Sequence, residues 1–274
     1  MERNTMTRGT GQSALLKAVI AAVKLVAAEE IMPRYMKVTL HQKDDGSLCT
    51  DADLAAQEAL TRKLQAIVNV PVIGEEMSDS EHLLRWAGGD KDVWCIDPID
   101  GTSNFVRGLP YFAVSVALIR KGRSVLGVVY DPVANETFAA ETERGAFLNG
   151  AKLIGRNVTQ NLSDALVCVD TKRLPNPLMS ELALHKPFCS QRNFGASTLD
   201  WCYTAMGRYD AYLHGGQKLW DYAAGSLILI EAGGSACSLE NDDFNQSEIW
   251  QRSVIASLDP TLFENWKNWL RAHQ

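Results

Sequence analysis

The chain is poor in histidine, has no paired cysteines and carries no excess of positive charge, and each shortage removes a class of function. Its five histidines show no metal-ligand spacing. The six cysteines (Cys49, Cys95, Cys168, Cys189, Cys202, Cys237) include no Cys-x-x-Cys pair, so neither a zinc site nor a disulfide framework is expected. Several sit among apolar neighbours, as reduced buried thiols do, which points to a reducing, cytoplasmic setting. The formal net charge of −6 disfavours general nucleic-acid binding, which calls for a basic face. The one compact basic cluster, Arg120-Lys121-Gly122-Arg123, lies between two apolar strand-like runs and reads as a hairpin turn. No apolar run reaches the roughly 18 residues that a membrane span needs. Arg3 and Arg8 precede a stretch rich in alanine over 14–28, but Lys17 and Lys24 interrupt it with helical period, unlike a signal peptide.

What remains is ordinary for a soluble globular protein: 46% hydrophobic and 22% charged residues in a chain of 274. That length suits one large domain or two closely joined halves. Leu16, Val19, Ile20, Val23 and Ala27 recur at helical spacing and predict one long helix over 12–36. Residues 41–49 read as a polar turn. A second helix begins at Thr50 or Asp51 and runs to about 68. A short strand over 70–73 leads into Gly74-Glu75-Glu76, and 78–92 reads as a polar connection. Strands are expected over 111–119, 124–130, 136–140 and 145–148, with a tight turn at Asn149-Gly150. Beyond residue 160 the pattern alternates. Strands are expected over 165–170, 209–213 and 254–256, and helices over 177–185, 198–206, 220–232 and 260–271. The expected fold is a layered α/β sandwich, αβαβα, with an antiparallel sheet in an N-terminal subdomain (1–155) and a mixed sheet in a C-terminal one (156–274).

The most informative stretch is Trp94-Cys95-Ile96-Asp97-Pro98-Ile99-Asp100-Gly101-Thr102-Ser103-Asn104-Phe105. An apolar strand ends in two aspartates three residues apart. Gly101 permits close backbone approach, and short polar side chains follow where a helix can begin. Such a segment is either an Asp-rich turn or a site that holds hard cations and receives a phosphate. Asp53, Glu75, Glu76 and Asp221 also fall at the ends of predicted elements. Taken singly, Asp53 and Asp221 are equally readable as helix-start acids favoured by the macrodipole.

Together, Gly74-Glu75-Glu76, Asp97-Pro98-Ile99-Asp100-Gly101-Thr102, Trp220-Asp221, Ala224-Gly225 and Glu231-Ala232-Gly233-Gly234 resemble the inositol monophosphatase family, within the lithium-sensitive, magnesium-dependent phosphatase superfamily. The resemblance covers most of the chain. It implies two to three Mg²⁺ ions, with Mn²⁺ as a possible substitute. One is held by Glu75, Asp97 and the Ile99 carbonyl, a second by Asp97, Asp100 and Asp221, and a weaker third lies near Glu75. It further implies that Thr102, buttressed by Asp53, orients a metal-bound water together with Glu75, and that Lys43 supports the same water network. The N–H groups of Gly101, Thr102 and Ser103 then grip the phosphate. Gly195, Ala196 and Ser197 line the sugar or inositol pocket, and Asp221 borders it. His214 stands where many family members carry a substrate-binding Glu, which leaves inositol specificity open. A homodimer is implied as well.

Five carboxylates (Asp53, Glu75, Asp97, Asp100, Asp221) bring −5 to one cleft, and a phosphate monoester adds −2. Each like-charged pair at about 4 Å repels by about 4 kcal/mol at an effective dielectric near 20. Two Mg²⁺ supply +4 and three supply +6. An oxygen-only donor set selects Mg²⁺ or Mn²⁺ over Zn²⁺. The expected activity is hydrolysis of a small phosphorylated polyol or sugar by direct attack of water. The alternatives are a sugar bisphosphatase, a 3′-phosphoadenosine nucleotidase or, outside enzymes, an RNA-associated regulatory partner.

Overall fold

A computed structural model describes residues 11–37, 40–42, 48–86, 89–156, 159–246 and 248–274. The first helix, α1 (Ala14–Val26), is capped by the Ser13 hydroxyl, which accepts the Leu16 N–H. It buries the periodic face of Leu16, Val19 and Val23. The single long helix expected over 12–36 instead changes pitch, through a π turn (Ala27–Ile31) and a 3₁₀ turn (Met32–Arg34). Pro33 has no N–H to continue the ladder. A two-stranded ribbon, β1 (Leu40–Gln42) and β2 (Leu48–Thr50), leads into α2 (Asp51–Ile67), close to the expected start and end.

The N-terminal sheet has seven strands in sequential order: β3 (Val72–Gly74), β4 (Val93–Asp100), β5 (Ala113–Arg120), β6 (Arg123–Asp131), β7 (Glu136–Glu141), β8 (Gly145–Leu148) and β9 (Ala151–Lys152). Only β3–β4 is parallel. Because successive side chains alternate in face, Trp94 and Ile96 of β4 pack with α1 and α2, while Val93 and Cys95 face the middle of the molecule. All of β4 is buried, which explains its unbroken apolar run. The hairpin turns sit where they were expected, and Asn149 and Gly150 both adopt positive φ.

The second sheet contains β10 (Leu166–Asp170), β11 (Ser190–Arg192), β12 (Ala211–Gln217), β13 (Ser235–Cys237) and β14 (Arg252–Ser257), in the order β11-β10-β12-β14-β13. It is mixed: β10 pairs parallel with β11 and β12, and β14 pairs antiparallel with β12 and β13. Helices α6 (Ser197–Ala205) and α7 (Leu219–Glu231) lie between the sheets, where Trp201, Cys202, Ala224 and Ile228 contribute to a core that reaches from Val93 to Val254. Helices α5 (Asn176–Leu184) and α8 (Pro260–Ala272) cover the outer face with Leu178, Leu182, Trp266 and Leu270. The layers are therefore αβαβα.

Three local expectations are corrected. Residues within 78–92 form a helix, α3 (Asp79–Trp86), rather than a plain connection. Strands β11 and β13 were not foreseen; at three residues each they are too short to show a period. Strand β12 continues past 213, so His214 lies in a strand rather than in a loop. Among the described residues no disulfide is formed, and Cys189 is the exposed cysteine. No helix among the described residues is long and apolar enough to cross a membrane.

Candidate active site

Strand β4 delivers Asp97 and Asp100 at a register shift opposite Ser115 and Ala113 of β5. The irregularity frees both carboxylates from a regular ladder and turns them to one side. Asp97 Oδ1 accepts the Ile99 N–H at 3.1 Å, an Asx-type turn that fixes its carboxylate. Gly101 then caps the six-residue helix α4 (Thr102–Arg107) at φ +90°, its carbonyl accepting the N–H groups of Asn104 and Phe105. A Cβ at Gly101 would stand 3.1 Å from the Tyr111 carbonyl and 3.2 Å from Ala196 Cβ, in a backbone region hostile to side chains. Gly101→Ala is expected to cost about 1–3 kcal/mol of stability and to displace the N–H groups at Thr102 and Ser103. Chemical denaturation reads the first effect and phosphate affinity the second; unchanged values for both would show that the turn tolerates a side chain.

The remaining acids come from helix starts and a strand end. Asp53 is the third residue of α2 and completes a capping box with Thr50, whose N–H reaches Asp53 Oδ2 at 2.8 Å. Asp53 Oδ1 faces the Thr102 hydroxyl at 3.4 Å, and that hydroxyl donates to the Ile99 carbonyl at 3.0 Å. Asp221 repeats the arrangement on α7, with Oδ2 accepting the Lys218 N–H at 2.8 Å. For both aspartates the helix-start reading and the functional one are compatible, since capping occupies one oxygen and leaves the other for the cleft. Glu75 follows β3, and its N–H reaches the Ile96 carbonyl at 3.3 Å.

Asp97, Asp100 and Asp221 converge, with one carboxylate oxygen from each lying within 4.8 Å of the others. Burial, followed by repulsion from Glu75, Asp100, Asp221 and Asp53, holds Asp97 well above the usual carboxylate range. All five acids thus act on one point. Burial also raises Asp100, against hydrogen bonds from Thr198 and Ser197. Asp221 is pushed up to about 7 by burial and then by Asp100. A buried, mutually repelling, all-oxygen set of this kind fits hard divalent cations of the Mg²⁺ type. The Ile99 carbonyl still has a lone pair beside the one that Thr102 uses.

Some contributors were not foreseen. Thr198 donates both its N–H (2.7 Å) and its hydroxyl (2.6 Å) to Asp100 Oδ2, so the second half of the chain aims an acid of the first. His82 of α3 is buried. Its Nε2 donates to the Gly74 carbonyl at 2.8 Å, and its ring packs on Trp220 with centroids 5.0 Å apart. It therefore ties the residue before Glu75 to the residue before Asp221. His82→Ala is expected to cost about 2–4 kcal/mol of stability and to weaken cation binding about 10- to 100-fold. Calorimetric titration of the folded variant decides; unaltered affinity would reduce His82 to packing. Neither residue carried a motif, although Thr198 adjoins the quoted segment at Ser197.

The segment Gly195-Ala196-Ser197 lies beside the Gly101 turn: Ala196 Cβ is 3.2 Å from where a Cβ at Gly101 would stand, and Ser197 Oγ lies 3.5 Å from Asp100. Asn104 secures this contact by donating to the carbonyls of Tyr111 and Phe194, both at 2.7 Å. His214 is buried at 5% exposure. Its Nδ1 accepts the Gly216 N–H at 3.0 Å, which leaves the proton on Nε2, 3.8 Å from Asp170. Burial pulls its pKa down to about 4, so the ring is neutral at physiological pH. Lys43 lies outside the described residues.

The chain is similar to known proteins over most of its length. The sequence pattern described as the inositol monophosphatase family matches residues 12–270. A Nus factor SuhB from Pasteurella multocida is 38% identical over 217 residues, 77% of this chain and 76% of that one. An inositol-1-monophosphatase from Caulobacter vibrioides is 31% identical over 239 residues, 83% of this chain and 90% of that one. Among solved structures, the extragenic suppressor protein suhB from Bartonella henselae superposes with a TM-score of 0.81 at 25% identity, covering 94% of this chain and 99% of that one.

Proposed function

The chain belongs to the inositol monophosphatase family, and on that premise we propose that it hydrolyses a small phosphate monoester, inositol-phosphate-like, at the Asp97 centre with bound Mg²⁺. The observation that carries this reading is the convergence of Asp97, Asp100 and Asp221 under the added field of Glu75 and Asp53. Glu75, Asp97 and the Ile99 carbonyl would hold one cation, and Asp97, Asp100 and Asp221 another. When bound, the cations neutralise the carboxylates and the phosphate and supply Lewis acidity toward water and the leaving oxygen.

The chain's own groups do the rest. N–H groups at Gly101, Thr102 and Ser103 have no acceptor within their own helix and receive the phosphate oxygens. The Thr102 hydroxyl donates its proton to Ile99, so its oxygen is available to accept a hydrogen bond from the attacking water. Asp53 stands behind it as the alternative acceptor, and Glu75 takes the other water proton. Attack is in line and direct, without a phosphoenzyme. Residues 1–155 supply these groups. Residues 156–274 supply Asp221 and the leaving-group pocket of Gly195, Ala196, Ser197 and His214. Lys43 joins the water network, and the protein acts as a lithium-sensitive cytoplasmic homodimer.

The test is phosphate release from inositol 1-phosphate, glycerol 2-phosphate, fructose 1,6-bisphosphate and phosphoadenosine phosphate, with Mg²⁺ and with EDTA. Release that needs the cation, with one solvent ¹⁸O in the phosphate and inversion at phosphorus, is the expected result; retention would sink direct attack. A second reading has its own observation, since relatives 38% identical carry the name Nus factor SuhB. Under it the protein is an RNA-associated regulatory partner. An Asp97→Ala protein that has lost phosphatase activity yet still supports every cellular phenotype would favour that reading.

A further inference from the structure

We infer that Gln57 is a positioning residue, whose amide ties the Glu75 turn to the helix that carries Asp53. The inference rests on the phosphatase reading for the attacking water and extends it to a residue outside the metal ligands. Gln57 lies four residues beyond Asp53 on α2, so both side chains leave one face of the helix, about 6 Å apart along its axis. The rest of that face is apolar, with Ala56 and Leu60 in the same core cluster as Val72 and Ile96. A glutamine buried to 8% exposure among such residues is costly unless its amide is used.

The amide is used at the turn that presents Glu75. Gln57 Oε1 accepts the Glu76 N–H at 3.1 Å. Since that backbone group can only donate, the bond also settles which end of the amide faces the turn. Gly74 makes the approach possible. A Cβ there would lie 2.1 Å from Gln57 Oε1, 2.8 Å from its Cδ and 3.1 Å from Ile96 Cγ1. Its φ is not positive, so glycine is needed here for space rather than for backbone conformation. Other bonds hold the turn from the far side. The Gly74 carbonyl accepts the Met77 N–H at 3.2 Å and the His82 ring at 2.8 Å, and the Glu75 N–H reaches the Ile96 carbonyl at 3.3 Å. Those contacts fix the turn to β4 and α3; the Gln57 bond fixes it to α2.

That bond joins the two sides of the water site. Asp53, one turn earlier on α2, directs Oδ1 toward the Thr102 hydroxyl at 3.4 Å. Its Oδ2 accepts the Thr50 N–H at 2.8 Å, so the carboxylate moves with the helix start. Glu75 sits on the turn that Gln57 holds. One rigid helix therefore sets Glu75 against Asp53 and Thr102, and the attacking water is aligned only while the tie is intact. An amide suits the place, because it accepts the N–H without adding a charge to acids that already repel one another.

Three variants separate the tie from packing. Gln57→Met keeps the volume and removes the acceptor, Gln57→Glu keeps the acceptor, and Gly74→Ala drives the native amide off its bond. In Mg²⁺, Gln57→Met and Gly74→Ala should each lower kcat about 10- to 100-fold. KM for the ester should stay nearly unchanged, because the N–H groups at Gly101, Thr102 and Ser103 still grip the phosphate. Gln57→Glu should recover most of kcat at saturating Mg²⁺. The double variant of Gln57→Met and Gly74→Ala should be no worse than either alone, since both remove the same bond. Calorimetric titration with Mg²⁺ reads the tie without turnover, and Gln57→Met should weaken binding about tenfold. Leu64→Ala, buried on the same helix two turns further on, should lower stability and leave that affinity unchanged. If no ester is hydrolysed the phosphatase reading fails, and the titration alone decides Gln57. Wild-type affinity in Gln57→Met, an equal loss in Leu64→Ala, or losses that add in the double variant would each overturn the tie.

Discussion

Asp97→Asn is expected to lower kcat/KM for every phosphate ester by about 10³-fold or more, about 4 kcal/mol of transition-state stabilisation, while the cation-free protein becomes more stable. The two effects have one cause. Asp97 is fully enclosed and faces four other carboxylates, so its charge opposes folding until cations offset it. Asparagine keeps the shape and can still accept the Ile99 N–H through its carbonyl oxygen, but it brings no charge. Scanning calorimetry in EDTA should show a midpoint several degrees above wild type, at about 2–4 °C per kcal/mol for a chain of this size. In Mg²⁺ the order should reverse. A variant that is both inactive and less stable in EDTA would mean that Asp97 serves packing rather than a cation centre.

The second large effect is a stability profile that changes direction with cations. Asp221 sits at about 7 in the folded protein, against about 3.9 for an unfolded chain. Between those values the folded state keeps a proton that the unfolded state has shed, so cation-free stability falls as pH rises from about 4 to 7. The upper bound is about 4 kcal/mol, and partial exposure of Asp221 to the cleft reduces it through solvent screening. Asp97 and Asp100 push in the same direction. Cations bind the deprotonated acids, so the gain in midpoint on adding Mg²⁺ should be larger at pH 8 than at pH 5. Thermal unfolding at both pH values, with Mg²⁺ and with EDTA, measures it. A gain independent of pH would mean that the acids are not the ligands.

Much of this architecture was legible because several layers repeat one simple pattern. Helices α1 and α2 bury a clear apolar face, and the hairpins of the first sheet are punctuated by turn residues. The run from Trp94 to Ile96 is apolar on both faces because both faces are covered. Helix α3 escaped notice because its pattern is inverted. Leu83 and Leu84 point outward, at 62% and 79% exposure, while His82 is buried. Hydropathy alone reads such a segment as a loop. The acids were visible as a motif, but their supports were not. Thr198 reaches Asp100 across nearly a hundred residues, and the tilted ring contact of His82 with Trp220 joins α3 to α7. No local spacing encodes either contact.

The bond from Thr198 to Asp100 also bears on how the protein comes of age. A chain emerging from the ribosome displays Asp97 and Asp100 long before α6 exists to steer one of them, and Asp221 arrives later still. The nascent N-terminal portion therefore holds an unfinished cage, with one wall unbraced and another missing. Competence dawns late, when the final third of the polypeptide settles between the sheets, and truncation anywhere before α7 leaves a sheet that has acids but no closed centre.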